Sequence, residues 1–166
     1  MINTQKGGNT MTSNELEERL QRLEDIEAIK KLKARYCAGA DERDEEKFVG
    51  CFTDDAVWDG GNLGRFEGKA AIRDFFRSLP KLLSFAIHYV MNPRIDVTGD
   101  SATGFWYLLE PCTMKEGGEQ AVWGVAKYEE EYVRVNGEWK MQNLVLAPEC
   151  WTPFDKGWVD QPFIGQ

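Results

Sequence analysis

Histidine is nearly absent from this chain: one imidazole, His88, occurs among 166 residues. Long apolar runs are absent too. No segment approaches the roughly 20 residues that a membrane-spanning helix needs, and Met1 to Thr10 is polar, unlike a secretory signal. Basic residues are in deficit, with 20 Lys and Arg against 28 Asp and Glu, a net charge of −8. That balance argues against nucleic acid or an anionic membrane as partner, since both recruit basic patches. Cys37, Cys51, Cys112 and Cys150 show neither zinc-type spacing nor a disulfide framework. A reduced, cytoplasmic protein is expected. No phosphate-cradling glycine loop or dinucleotide fingerprint is present, and no serine or cysteine sits in a nucleophile motif. One histidine and scattered carboxylates make no metal-ligand set, so neither a metal nor another cofactor is expected.

Aromatic residues are abundant. Six Trp and nine Phe exceed what a minimal core needs, which points to an apolar cavity or an oligomer interface. The length suits one domain with a real core. The first twelve residues read as a disordered segment, with Met11 an alternative start.

From Thr12 the pattern is helical. Thr12 and Glu15 fit a capping box, and Leu16, Leu20, Leu23, Ile26, Ile29, Leu32, Tyr36 and Ala40 form one apolar stripe of about seven turns. The stripe stops near Ala40, which favours a helix packed on a sheet over a coiled coil. Glu45 to Phe52 predicts a short second helix and Ala56 to Trp58 a brief strand. A loop follows through Gly60, Gly61 and Gly64. Lys69 to Leu79 predicts a third helix, stopped by Pro80. Four β segments follow: Phe85 to Val97, Ala102 to Met114, Gln120 to Val135 and Glu138 to Leu146. They are separated by turns at Thr98-Gly-Asp100, Glu116-Gly-Gly118 and Asn136-Gly137, the last suited to a type I′ hairpin. Helices followed by an antiparallel meander predict an α+β domain over residues 13–147. A strongly bent sheet wrapped around the long helix would form a cone-shaped barrel with a pocket for a small apolar ligand. Residues 148–166 form an aromatic tail. Trp151, Phe154, Trp158 and Phe163 would make an exposed patch unless they cover the pocket mouth or an interface.

His88 is the natural candidate for chemistry, because imidazole exchanges protons near neutrality. It lies in a segment that reads as a buried strand, so its ring nitrogens need partners. Either a carboxylate orients it as a base, or a backbone carbonyl satisfies it as a core residue. Asp41, at the end of the long helix, is the best carboxylate partner, although its charge opposes the helix macrodipole there. A solvated loop aspartate is the competing reading. Tyr36 offers a hydroxyl to a substrate oxygen or fills the core. Trp58, Trp106, Leu108, Glu110, Trp151 and Phe154 are expected to contact substrate. For Glu110, between Leu109 and Pro111, the competing placement is an exposed strand end.

The run Asp25-Ile-Glu-Ala-Ile29 through Tyr36, then Asp41, Phe52-Thr-Asp-Asp-Ala-Val-Trp58, Phe66-Glu-Gly-Lys69, His88, Asn92 and Asn136-Gly-Glu-Trp-Lys140 resemble the SnoaL-like branch of the nuclear-transport-factor-2-like superfamily. The likeness covers about residues 14 to 147, in the family's order. Ile87-His-Tyr89, Asp54 to Trp58 and Trp151-Thr-Pro-Phe154 are similar to its dehydrochlorinase members. Its dehydratase members share the Asp–His placement. The resemblance implies a lyase that needs no cofactor, with His88 as base, Asp41 as its partner and a homodimer or homotrimer as the assembly. It leaves open an isomerase or cyclase using the same pair, a binding protein without turnover, and a structural dioxygenase subunit. The dehydrochlorinase members use an arginine on the last strand, and Val145 to Ala147 offers no cation.

Overall fold

Thr12 opens the first helix as its capping box predicts. The Thr12 side chain accepts from the Glu15 N–H at 3.2 Å, and the Glu15 carboxylate accepts from the Thr12 N–H at 2.7 Å; such a cap contributes about 1 kcal/mol. A computed structural model describes residues 12–115 and 117–165. The expectations for Met1 to Met11 and for Glu116 lie outside them. Helix α1 (Ser13–Glu42) runs for 30 residues. Only its second half packs: Ile29, Leu32, Tyr36 and Cys37 are buried, whereas Leu16, Leu20 and Leu23 are more than half exposed. The apolar stripe therefore continues past the sheet it was expected to cover.

Helix α2 (Glu45–Val49) is capped by Asp44 and ends sooner than expected, because Phe52 already belongs to β1 (Phe52–Asp59) and pairs with Met141. Gly39 permits the α1–α2 contact, since a Cβ there would come within 2.6 Å of the Phe48 backbone. After β2 (Arg65–Glu67), a strand not foreseen within the loop region, comes α3 (Lys69–Leu82). Pro80 does not stop this helix. It sits in the last turn, where the Leu83 N–H still reaches the Leu79 carbonyl, so the missing proline N–H costs little.

The expected strand from Phe85 to Val97 is broken. It divides into β3 (Leu83–Ala86) and β4 (Tyr89–Thr98), and both pair with β5 (Ser101–Met114). Strands β6 (Gln120–Val135) and β7 (Glu138–Pro153) complete a seven-stranded sheet of order β2-β1-β7-β6-β5-β3. The β1–β7 pair is parallel and the rest are antiparallel. Asn136 and Gly137 form the β6–β7 turn with φ of 52° and 83°, as a type I′ turn requires. The sheet curls round the C-terminal half of α1 into the expected α+β half-barrel.

Strand β7 does not end at Leu146. Ala126 pairs with Pro148 and Val125 with Cys150, so a bulge absorbs Glu149 and places the proline where a ladder bond is missing. The tail beyond α4 (Gly157–Asp160) then folds back on the same chain. The Trp151 N–H donates to the Pro162 carbonyl and the Ile164 N–H to the Trp151 carbonyl, both at 2.8 Å. Phe154 and Trp158 remain about two-thirds exposed, contrary to the expectation that every tail aromatic is buried. The fold-back captures only the residues next to its two hydrogen bonds.

Two polar clusters tie α1 to the sheet. Asp25 accepts from Arg134 at 2.5 Å and from Trp139 Nε1 at 3.1 Å. Deeper in, Lys33 and Glu130 form an ion pair with both side chains fully buried, and the Tyr132 hydroxyl donates to Glu130. Removing one partner of such a pair strands a buried charge. Lys33→Met is therefore expected to cost about 3–5 kcal/mol, and a second change, Glu130→Leu, to recover a large part of it. Urea denaturation of the single and double variants measures both.

Candidate active site

A break in hydrogen bonding creates the site. At Ile87 and His88 the chain lies between β3 and β4, and the His88 N–H turns toward the end of α1. The Asp41 carboxylate accepts it at 3.1 Å and 3.2 Å, and the same carboxylate lies 2.6 Å from His88 Nδ1. Asp41 has no basic neighbour in the last turn of α1, where a negative charge is disfavoured by the helix dipole; hydrogen bonds from a single partner offset that cost. With Nδ1 donating, the neutral ring carries its lone pair on Nε2.

Nε2 faces a second carboxyl, with Glu110 Oε2 3.8 Å away. The β4–β5 pairing explains why. From the Thr98–Ser101 turn the register runs evenly to Arg94 opposite Phe105, then shifts so that Met91 faces Tyr107. Asn92 and Pro93 together oppose Trp106, which is a bulge, and Asn92 adopts the φ of 52° that asparagine tolerates. Without the extra residue, Tyr89 would stand across from Glu110. With it, Tyr89 pairs with Leu109 while Ala86 pairs with Cys112 on the far side of the break, and His88 takes the inward place. Glu110 is buried at 4% exposure. It is not the exposed strand end, and among the described residues His88 is its one ion-pair partner.

Both residues line a cavity of about 660 Å³ with Tyr36, Asp41, Trp58 and Trp151. The Trp58 Nε1–H donates to the Tyr36 hydroxyl at 3.1 Å, which leaves the phenol proton available to another acceptor. Trp151 crosses Gly124, where a Cβ would meet the indole at 2.8 Å, so glycine at this position lets the indole lie against the sheet beside the cavity. Phe163 and Ile164 of the folded-back tail complete the mouth.

Three expected substrate contacts are placed elsewhere. Trp106 and Leu108 are core residues outside the cavity lining; Trp106 is anchored by its Nε1–H on the Tyr132 hydroxyl. They lie further along β5, beyond reach of the opening. Phe154 lies outside the cavity, its ring 6.2 Å from that of Trp123. Conversely, Arg43, Phe75, Leu79 and Tyr128 line the cavity unforeseen. The apolar spacing of Ile72, Phe75, Phe76 and Leu79 marked the inner face of α3; nothing in the sequence marked Arg43, whose guanidinium holds the Leu83 carbonyl at 2.7 Å.

The site's electrostatics are opposed. Burial alone disfavours imidazolium, yet Glu110 and Asp41 outweigh it and hold the His88 pKa above its ordinary 6.5. Burial likewise pushes Glu110 above its usual 4.5, with His88 pulling it down and Asp41 pushing it up. Two groups this close titrate as a unit.

The geometry is that of an α+β half-barrel curled round a cavity, with the chain's single imidazole at the cavity wall. Residues 21–145 match the model of the SnoaL-like domain, and the chain belongs to that family. It is 30% identical over 136 residues to hexachlorocyclohexane dehydrochlorinase 1 of Sphingobium indicum, covering 81% of this chain and 88% of that protein. Among solved structures it resembles a hexachlorocyclohexane dehydrochlorinase from Novosphingobium barchaimii at a TM-score of 0.76 and 29% identity, covering 82% of this chain and 94% of that one. An NTF2-like protein of cystatin-like fold from Novosphingobium aromaticivorans superposes at 0.71 with 23% identity, over 85% and 92% of the two chains; that likeness concerns the fold alone.

A single imidazole makes its titration directly readable by NMR. Its midpoint is expected above 6.5, and Glu110→Gln should lower it, because that change removes a neighbour that raises it. The linkage follows the same sign. Native His88 holds its proton to higher pH than the unfolded chain, so this contribution to stability is present below about 6.5 and is lost as pH rises through the native value.

Proposed function

We propose that this protein is a lyase that needs no cofactor and acts on an apolar, cyclic small molecule. His88 Nε2 removes a carbon-bound proton, and a leaving group departs from the neighbouring carbon. One observation carries the reading: Nδ1 of the chain's only histidine is locked to Asp41 at 2.6 Å, which presents Nε2 as a base in an enclosed, largely apolar cavity. Asp41 fixes the tautomer and stabilises the imidazolium that forms. Tyr36, held by Trp58, donates its hydroxyl proton to a substrate oxygen on which charge develops. Its phenol is pushed above its ordinary pKa mainly by burial, so it acts as a neutral donor. The dehydrochlorinase relatives support elimination as the reaction class. The lining of Trp58, Phe75 and Leu79 suits a ring-shaped apolar body.

Proton abstraction is testable without the natural substrate. In deuterium oxide the protein is expected to exchange the protons next to the carbonyl of a decalone, followed by NMR. His88→Gln should reduce the rate by about 10²–10⁴-fold, the usual contribution of a positioned base. Asp41→Asn should reduce it as well, by presenting the wrong tautomer. Decalone that binds the wild-type protein without exchange would identify a binding protein instead.

A further inference from the structure

Glu110 has no part in that proton abstraction, yet it is buried in the cavity wall against the base itself. Burying an acid without a hydrogen-bond donor is costly, and among the described residues the one ion-pair partner of Glu110 is the His88 imidazole, 3.8 Å away. The titratable groups facing it are Asp41 at the end of α1, His88 in the strand break, Cys112 on its own strand and Tyr128 on β6. A bulge in β4 is spent on bringing His88 opposite it.

We infer that Glu110 is the acid that protonates the departing group, and that this group is a hydroxyl lost as water from the same face of the substrate as the abstracted proton. The inference rests on His88 acting as the base. His88 Nε2 takes the proton, and the C–H pair becomes the new carbon–carbon π bond. The C–O pair leaves on oxygen, and Glu110 gives that oxygen its proton, releasing water. The site is left with imidazolium and carboxylate side by side. Passing the proton from Nε2 to Glu110, through a water where the 3.8 Å gap requires one, restores the starting state with no external acid. A halide would depart without that proton, so the arrangement favours oxygen over chloride. Because base and acid are close neighbours on one wall, they reach one face of a ring, and the elimination is syn.

Burial pushes the Glu110 carboxyl toward its protonated form and the His88 imidazole opposes it, so the pair holds one proton between them, and the productive form has it on Glu110.

The test uses two cyclic ketones that differ only at the β carbon, one bearing hydroxyl and the other para-nitrophenoxide, which leaves without protonation. Glu110→Gln is expected to slow the hydroxy ketone by about 10²–10⁴-fold, and by at least about 100-fold more than it slows the nitrophenoxy ketone. A hydroxy ketone deuterated on the face of its hydroxyl should lose the label to wild-type protein, and the opposite epimer should keep it. Equal losses on both ketones, or loss of the opposite label, would overturn the inference. An infrared difference spectrum at neutral pH needs no turnover. Wild type minus Glu110→Gln should show the carbonyl stretch of a protonated carboxyl, and its absence would equally overturn the assignment. Failure of decalone exchange with this carboxyl band present would instead strike at the role of His88.

Discussion

The carboxylate of Asp41 accepts two N–H groups from one residue, the backbone amide and the imidazole of His88. This double acceptance joins the end of α1 to the gap between β3 and β4, elements that are otherwise only in light contact. The amide bond removes a donor from the sheet ladder and holds the strand broken; the ring bond selects the nitrogen that faces the cavity. Either alone would leave the histidine under-determined, with a free amide in one case and a rotating ring in the other. Together they convert a cost at a helix C-terminus into a fixed orientation of the imidazole.

Behind the cavity stands a second polar construction. The Lys33 Nζ lies 3.3 Å from the centroid of the Tyr128 ring and 4.5 Å from that of Tyr36, with Glu130 on its other side. Two aromatic walls thus rest on a buried ion pair instead of on apolar side chains. Such pairs are weak sources of net stability, but they fix position. Tyr36 is held from both ends, by Lys33 beneath its ring and by Trp58 at its hydroxyl.

Features set by local chemistry were legible in the sequence. The Thr12–Glu15 box and the Asn136–Gly137 turn each express a preference of a few neighbouring residues, and each formed as read, whereas the apolar stripe of α1 is buried only from Ile29 onward. The resemblance also paired Asp41 with His88 across 47 positions. Features decided by register were not legible. Whether an inward-facing position opposite Glu110 belongs to Tyr89 or His88 depends on one extra residue at Asn92–Pro93, and a period-two pattern carries no record of such an insertion. The same blindness stopped β7 at Leu146, where a bulge at Glu149 let the strand continue past Pro148. Pro80 was misread for a different reason: a penalty that applies in a helix interior largely vanishes in its last turn.

The His88 cluster and the enclosure of the cavity come from different parts of the chain. His88 and its neighbour Glu110 are fixed by the end of α1 and the break beside β5, while the mouth is narrowed by α3 and by a tail whose return rests on two backbone hydrogen bonds at Trp151. Residues at Leu79, Phe163 and Ile164 can therefore change in size without moving His88. A lineage built on this plan can redraw the rim of the cavity while His88, Asp41 and Glu110 stay put, and the tail, tied to the sheet by a few backbone bonds at Trp151 and Phe154, is where such divergence meets least resistance.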